Sequence, residues 1–227
     1  MGRNQYSSII IDLFTFFICL QVCFSGFSQS QFPNRPVRLK VQDDDFSDLE
    51  HFGKAIGGKR IVLLDELTHG EGNIFSLKSR LVKYLHQKKG FDVFIIESGM
   101  FDISRIWENT EQTIIDQAPG NVFYMYANSE ECQPLLEYIE AQRNSERPLY
   151  FAGFDGRLSG QLSTTRLIPE FEQFISLFNI SENDLQFWNT FRQYASKLLS
   201  GSHPNLKKSE KDSFFKSADF LGHFLND

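Results

Sequence analysis

RIVLLDELTHGEGNIFSLKSRLVKYLHQKKGFDVFIIE, residues 60–97, decides how this chain folds. Residues 60–65 (RIVLLD) are a continuous apolar run with β-branched members, the pattern of a strand covered on both faces of a parallel sheet. A polar, Gly-bearing loop follows, and then Ile74, Leu77, Leu81, Val82 and Leu85 recur on one helical face. Lys78, Lys83, Lys88 and Lys89 occupy the remainder of that helix, which is predicted over residues 74–89 and ends at Gly90. Residues 91–97 (FDVFIIE) repeat the buried-strand pattern. Strand, helix and strand in this order have the length of a right-handed parallel crossover.

Downstream, a helical stretch from Asp102 to about Ala118, a loop with Pro119 and Gly120, and a helix over residues 131–144 precede a third predicted strand, residues 148–155 (PLYFAGFD). Upstream, Phe46, Leu49, Phe52 and Ile56 mark a short amphipathic helix stopped by Gly57 and Gly58. Beyond Thr165 only helices are predicted, over residues 167–178, 182–199 and 208–225, the last two separated by GSHPN. The fold class is therefore α/β: a parallel sheet built from strand-helix-strand units, followed by an all-helical C-terminal segment.

Composition agrees with a packed domain. Of 227 residues, 41% are apolar and 23% charged, which excludes wholesale disorder. Lys and Arg total 23 against 29 Asp and Glu, a net charge of -6, so there is no basic footprint for nucleic acid. The 24 Phe suit cores and apolar contacts without naming a ligand.

The N-terminus carries Arg3, an apolar run from Ile9 to Phe24 interrupted by Asp12, and small residues at Gly26 and Ser28. This is the layout of a signal peptide cut after Ser28, and it predicts a secreted or periplasmic protein that meets a membrane only through that segment. Residues 29–45, with Pro33, Pro36 and the cluster Asp43, Asp44 and Asp45, read as an exposed lead-in to a domain over residues 46–227. Cleavage removes Cys19 and Cys23 and leaves Cys132 as a small apolar core residue.

Each predicted strand ends in an acid followed by a Gly-containing turn: Asp65 and Glu66, Glu97, and Asp155. Ligands of open α/β sheets bind outside the carboxyl ends of the strands, so these acids and His69 are expected to share one mouth. An acid at a strand end also commonly caps the next helix. His69, three residues after Glu66, could serve as general base, metal ligand or structural group, and spacing alone leaves the three open. No G-x-S-x-G, H-E-x-x-H, P-loop or paired C-x-x-C is present. His51, His86, His203 and His223 read as surface or helix-end residues.

The E-L-T-H turn with Glu66, Thr68 and His69, the strand end I-I-E-S-G with Glu97, and F-A-G-F-D with Asp155 together resemble the erythromycin esterase family over roughly residues 46–160. The resemblance implies a hydrolase without cofactor or metal, in which His69 draws a proton from water, Glu66 and Glu97 orient it, and the water attacks a small-molecule ester or lactone. It implies that Lys78 takes the place of a basic residue steadying the oxyanion and that Asp155 borders the substrate. Lys78 for Arg and Asp65 for Gly are departures from the family's pattern. Family members continue into a second half, so the resemblance predicts a truncated form or part of a longer product. Two other readings stand beside it: a divalent-metal hydrolase of the Tiki and TraB type, and a non-catalytic module binding an apolar or cationic small molecule.

Overall fold

Two of the three apolar runs pair as the crossover requires: β1 (Val93–Gly99) lies parallel to β2 (Tyr150–Asp155), with Val93 opposite Tyr150 and Ile96 opposite Gly153. The computed structural model describes residues 36–66, 68–178, 181–200 and 205–224. The chain divides into residues 1–37 and 38–227, and the elements named here belong to the second unit. The expected signal peptide, residues 1–28, lies outside the described residues, as does His203.

In chain order the helices are α1 (Glu50–Ile56), preceded by a 3-10 turn at Ser47–Leu49, α2 (Gly72–Lys89), α3 (Met100–Glu108), α4 (Ile114–Gln117), α5 (Tyr124–Ala127), α6 (Gln133–Gln142), α7 (Gln161–Ile175), α8 (Glu182–Leu199) and α9 (Lys208–Phe224). A small parallel sheet among many helices, with only helices after β2 among the described residues, is the expected α/β class. No described helix is long and apolar enough to cross a membrane.

The run at residues 60–65 departs from expectation. It has no regular secondary structure and pairs with neither strand, so the described sheet has two strands, not three. Leu64 packs against the core, whereas Ile61 and Leu63 are 78% and 88% exposed. A strand needs a neighbour's ladder as well as an apolar pattern, and here one side of the run is covered while no described backbone completes a ladder.

The main core fills the space between the sheet and α2 to α6. Ile103 and Ile106 of α3, Ile114 of α4 and Ile139 of α6 are completely buried, against Ile96 of β1 and Phe151 of β2. Gly90 ends α2 in the left-handed region, φ 78°, where its N–H caps the Leu85 carbonyl. Gly153 is required for another reason: a Cβ there would strike the Ser98 carbonyl, because the two strand ends approach closely beside the irregularity between Ile96 and Gly99. That approach brings Glu97 and Asp155 to one end of the sheet.

A second, smaller cluster joins Phe46, Leu49, Leu81 and Tyr84. Beside it Arg80, with no exposed surface, meets both oxygens of Asp48 at 2.7 Å and donates to the Asp45 carbonyl at 2.6 Å. Arg38 adds a bond to Asp48 at 3.0 Å, and Val41 is buried. Part of the expected lead-in is thus tied down, because the Asp44 carboxylate and the carbonyls of Arg38 and Asp45 find partners more than thirty residues away on α2.

His86 is also a correction. It is buried on α2, with Nδ1 2.6 Å from the Tyr138 hydroxyl and Nε2 3.0 Å from the Arg147 carbonyl. Burial pushes its imidazole below the ordinary range, so it is a neutral, satisfied core group. His51 is half-buried on α1 and His223 exposed on α9.

The C-terminal helices account for much of the Phe content. Ile175 of α7, Trp188 of α8 and Leu221 of α9 form the buried centre, with Phe171 edge-on to Trp188 at 5.2 Å and Phe187 stacked on Phe220 at 4.2 Å. Such geometries are the favoured ones for aromatic pairs.

Asp48 makes stability acid-sensitive. Burial opposes its ionisation, but the bonds from Arg80 and Arg38 outweigh that and hold the carboxyl well below the usual range. A depressed folded value stabilises above the unfolded value of about 4 and is lost as pH falls through it. Chemical denaturation at pH 6 and pH 3 should therefore show a smaller acid loss in Asp48→Asn than in the parent chain. Equal losses would mean that this ion pair does not govern acid lability.

Candidate functional site

The site grows from the loop after residues 60–65. Glu66, whose side chain is 7% exposed, spends one oxygen on His69 Nδ1 at 2.5 Å and the other on Lys78 Nζ of α2 at 2.6 Å. Burial alone would raise its pKa, but Lys78 and then His69 outweigh it and hold the carboxyl below its ordinary value. Thr68 closes the same turn through its hydroxyl, which donates to Glu71 at 2.8 Å. Leu67 lies outside the described residues.

A carboxylate on Nδ1 selects the tautomer with the proton there and leaves Nε2 as the basic nitrogen. The His69 side chain is 51% exposed, and Glu66 engages only its Nδ1. Its ring stands edge-on to Phe123, centroids 6.1 Å apart. Lys78 was expected at an oxyanion; the structure places it on Glu66, where one of its three donors is used.

Phe123 connects the Glu66, His69 and Lys78 cluster to the strand ends. The loop bearing it is clamped from both sides: Phe123 N–H donates to Ser98 Oγ at 3.0 Å, and Asn121 Oδ1 accepts from Leu162 N–H of α7 at 2.8 Å. Tyr126 follows on α5, its ring 5.7 Å from Phe123 and its hydroxyl 3.5 Å from Glu97 Oε2. Burial raises the Tyr126 phenol, and the charges of Glu66 and Glu97 raise it further, so it stays protonated between the two acids.

Glu97 and Asp155 share a cavity of about 320 Å³ with Ser98, Gly99, Asp102, Phe123, Tyr124 and Arg157 among its lining residues. Asp155 accepts from the Arg157 N–H at 3.0 Å, with the guanidinium Nε 3.5 Å from its other oxygen. Glu66, His69 and Lys78 do not line this cavity; they adjoin it through Phe123 and Tyr126. Asp65, at the end of the unpaired run, is exposed.

Sequence reasoning missed Tyr126, Phe123 and Asp102. Nothing in NVFYMYA separates a site aromatic from a core one, and Asp102 reads as the opening acid of a helix. Cys132 is buried, and burial pushes its thiol up to about 11, so it remains an unreactive thiol. Among the described residues no three His, Cys, Asp or Glu side chains are grouped to hold a metal ion.

No family model matches the chain. Over 167 residues, 70% of its length, it is 33% identical to "Putative hydrolase YbfO" of Bacillus subtilis, covering 37% of that protein. Over 123 residues, 53% of its length, it is 26% identical to an erythromycin esterase type II of Escherichia coli, covering 29% of it. The chain thus spans about a third of the length of these curated relatives. Among solved structures, a succinoglycan biosynthesis protein superposes with a TM-score of 0.64 at 21% identity, covering 85% of this chain and 48% of the other. A Bacillus cereus protein gives 0.62 at 21% identity, covering 84% and 46%. The structures establish the fold, and the curated relatives are a hydrolase and an esterase by name.

Proposed function

We propose that this chain, like the hydrolase and esterase it is similar to, supplies the site of a carboxylic ester hydrolase of the erythromycin esterase type. The observation that carries the reading is the buried Glu66 carboxylate bonded at once to His69 Nδ1 and Lys78 Nζ. This arrangement fixes the imidazole with Nε2 outward, the geometry of a general base. Nε2 removes a proton from water as the water oxygen bonds to the ester carbonyl carbon. The tetrahedral intermediate then collapses, the C–O bond to the alcohol breaks, and the imidazolium returns the proton to the departing alkoxide. Glu97 orients the attacking water from the cavity side, and the remaining N–H groups of Lys78 face the developing oxyanion. Asp155 borders the substrate.

The substrate class is a small-molecule ester or lactone, without nucleic acid as partner. Action outside the cytoplasm, secreted or periplasmic, is part of the proposal and rests on the N-terminal sequence alone. The test is a panel of aryl, alkyl and macrocyclic esters assayed before and after exhaustive chelation. Hydrolysis of at least one ester, undiminished by the chelator, is expected. Loss of activity on chelation would move the reading to a metal-dependent hydrolase, and inertness toward every ester would overturn it.

A further inference from the structure

We infer that Tyr126 is a positioning residue of the site: its hydroxyl donates to Glu97 and holds that carboxylate in the orientation the reaction uses. This rests on the ester-hydrolase reading, in which Glu97 orients the attacking water, and adds to it the group that fixes Glu97.

The two acids of the site are held in unlike ways. Glu66 is gripped on both oxygens, by His69 and by Lys78. Glu97 forms no ion pair among the described residues, and the Tyr126 hydroxyl, 3.5 Å from its Oε2, is the one described donor to its carboxylate. A carboxylate drawn partly out of water needs donors, and one with a single donor on a flexible side chain takes its direction from that donor. Tyr126 does not line the cavity, so it reaches a substrate there only through Glu97.

The donor is itself fixed by the core. Tyr126 is 8% exposed, and its ring stands edge-on to Phe75 of α2 at 5.4 Å and to Phe123 at 5.7 Å. Phe75 and Lys78 are neighbours on α2, so the helix that grips Glu66 also seats Tyr126. The Phe123 N–H bond to Ser98 Oγ ties the other ring to the residue that follows Glu97 on β1. The hydroxyl is thus referenced to both acids through rigid elements. Packing against Phe75 and Phe123 needs only the ring, and Glu97 is what accounts for the hydroxyl in this apolar cluster. Burial, and then the charges of Glu66 and Glu97, push the phenol above its ordinary range, so it stays a neutral donor beside them.

Tyr126→Phe in the full chain removes the hydroxyl and leaves the ring. On an ester the parent hydrolyses, kcat should fall about tenfold, the scale of a hydrogen bond to a charged group, with KM changed by less than about twofold. In a Glu97→Gln background the same substitution should lower kcat by less than about threefold, because the carboxylate it positions is already gone. A purely structural role would lower kcat equally in both backgrounds. A second readout needs no turnover: the tyrosine ring doublet in ultraviolet resonance Raman spectra, whose intensity ratio reports a donating hydroxyl. Tyr126 is the one described tyrosine bonded to Glu97, so the parent minus Glu97→Ala difference should show one donor lost from the 7 tyrosines. Thermal unfolding checks that the variants fold. The Raman difference without hydrolysis of any ester by the parent sustains the pairing of Tyr126 with Glu97 and overturns the hydrolase reading. An active parent whose Tyr126→Phe variant keeps kcat within about twofold, or loses it equally in both backgrounds, overturns the inference and leaves the hydrolase reading standing. Absence of the Raman difference overturns the inference whether or not an ester is cleaved, and that readout alone decides if Tyr126→Phe does not fold.

Discussion

His69→Ala is expected to lower kcat on any ester the protein hydrolyses by about 10²- to 10⁴-fold, the usual contribution of a positioned general base. The side chain is half-exposed and contributes one hydrogen bond to the fold, so the unfolding midpoint should hardly move. Loss of turnover without loss of structure would locate the effect in chemistry. Glu66→Gln probes the same claim from beneath. The amide no longer carries the charge that selects the Nδ1–H tautomer, and Lys78 loses its counter-ion, so kcat should again fall steeply while KM changes little. Activity of His69→Ala within about threefold of the parent would remove His69 from the mechanism.

Arg80→Leu is expected to cost about 3 kcal/mol of stability, because it strips the mostly buried Asp48 carboxylate of its bidentate partner and leaves Arg38 alone to serve both Asp48 and the Asp45 carbonyl. For a domain of this size that corresponds to an unfolding midpoint lower by roughly 10 °C. The sign of the interaction is best seen in the pair. Replacing Arg80 and Asp48 together by apolar residues should lose less than Arg80→Leu alone, since the main penalty is a mostly buried charge stripped of its bidentate partner. Arg80→Lys should recover only part of the loss, because an ammonium cannot grip both carboxylate oxygens. A midpoint shift of Arg80→Leu below about 2 °C would show that the network is dispensable.

Elements that depend on local pattern were legible in the sequence. The helix after the E-L-T-H turn, its stop at Gly90 and the strands carrying Glu97 and Asp155 follow from apolar spacing and from a glycine free to adopt positive φ. Long α8 was equally plain, since its periodicity is uninterrupted from Glu182 to Leu199. What failed depends on distant partners. Residues 60–65 have the composition of a strand but no described neighbour to pair with, and pairing is a property of two segments. His86 looks like a helix-end residue until Tyr138 and the Arg147 carbonyl, 52 and 61 positions away, enclose it. The start of α7 was placed too late, at residue 167, whereas the helix begins at Gln161 and its first turn is held where Ser163 meets Asp102.

The candidate site divides in the same way. Glu66 and His69 were visible as a pair because three residues separate them within one turn. Lys78 was visible on the correct helix face, but its engagement with Glu66 was not, since that depends on how the preceding loop folds back. Glu97 and Asp155 were expected at one mouth, and the parallel register brings them there. The aromatic groups that join the two halves, Phe123 and Tyr126, arrive through a loop fixed by Ser98 and α7, a three-way contact that no short sequence window contains.

The central claim is that water activated by His69, and no protein nucleophile, attacks the ester. Pre-steady-state hydrolysis of an ester, with release of the alcohol followed by rapid mixing and the quenched protein weighed by mass spectrometry, tests it most directly. The account predicts no burst of alcohol and no acyl adduct on the protein. A burst stoichiometric with enzyme, together with a protein heavier by the acyl group, would show a covalent intermediate and contradict it.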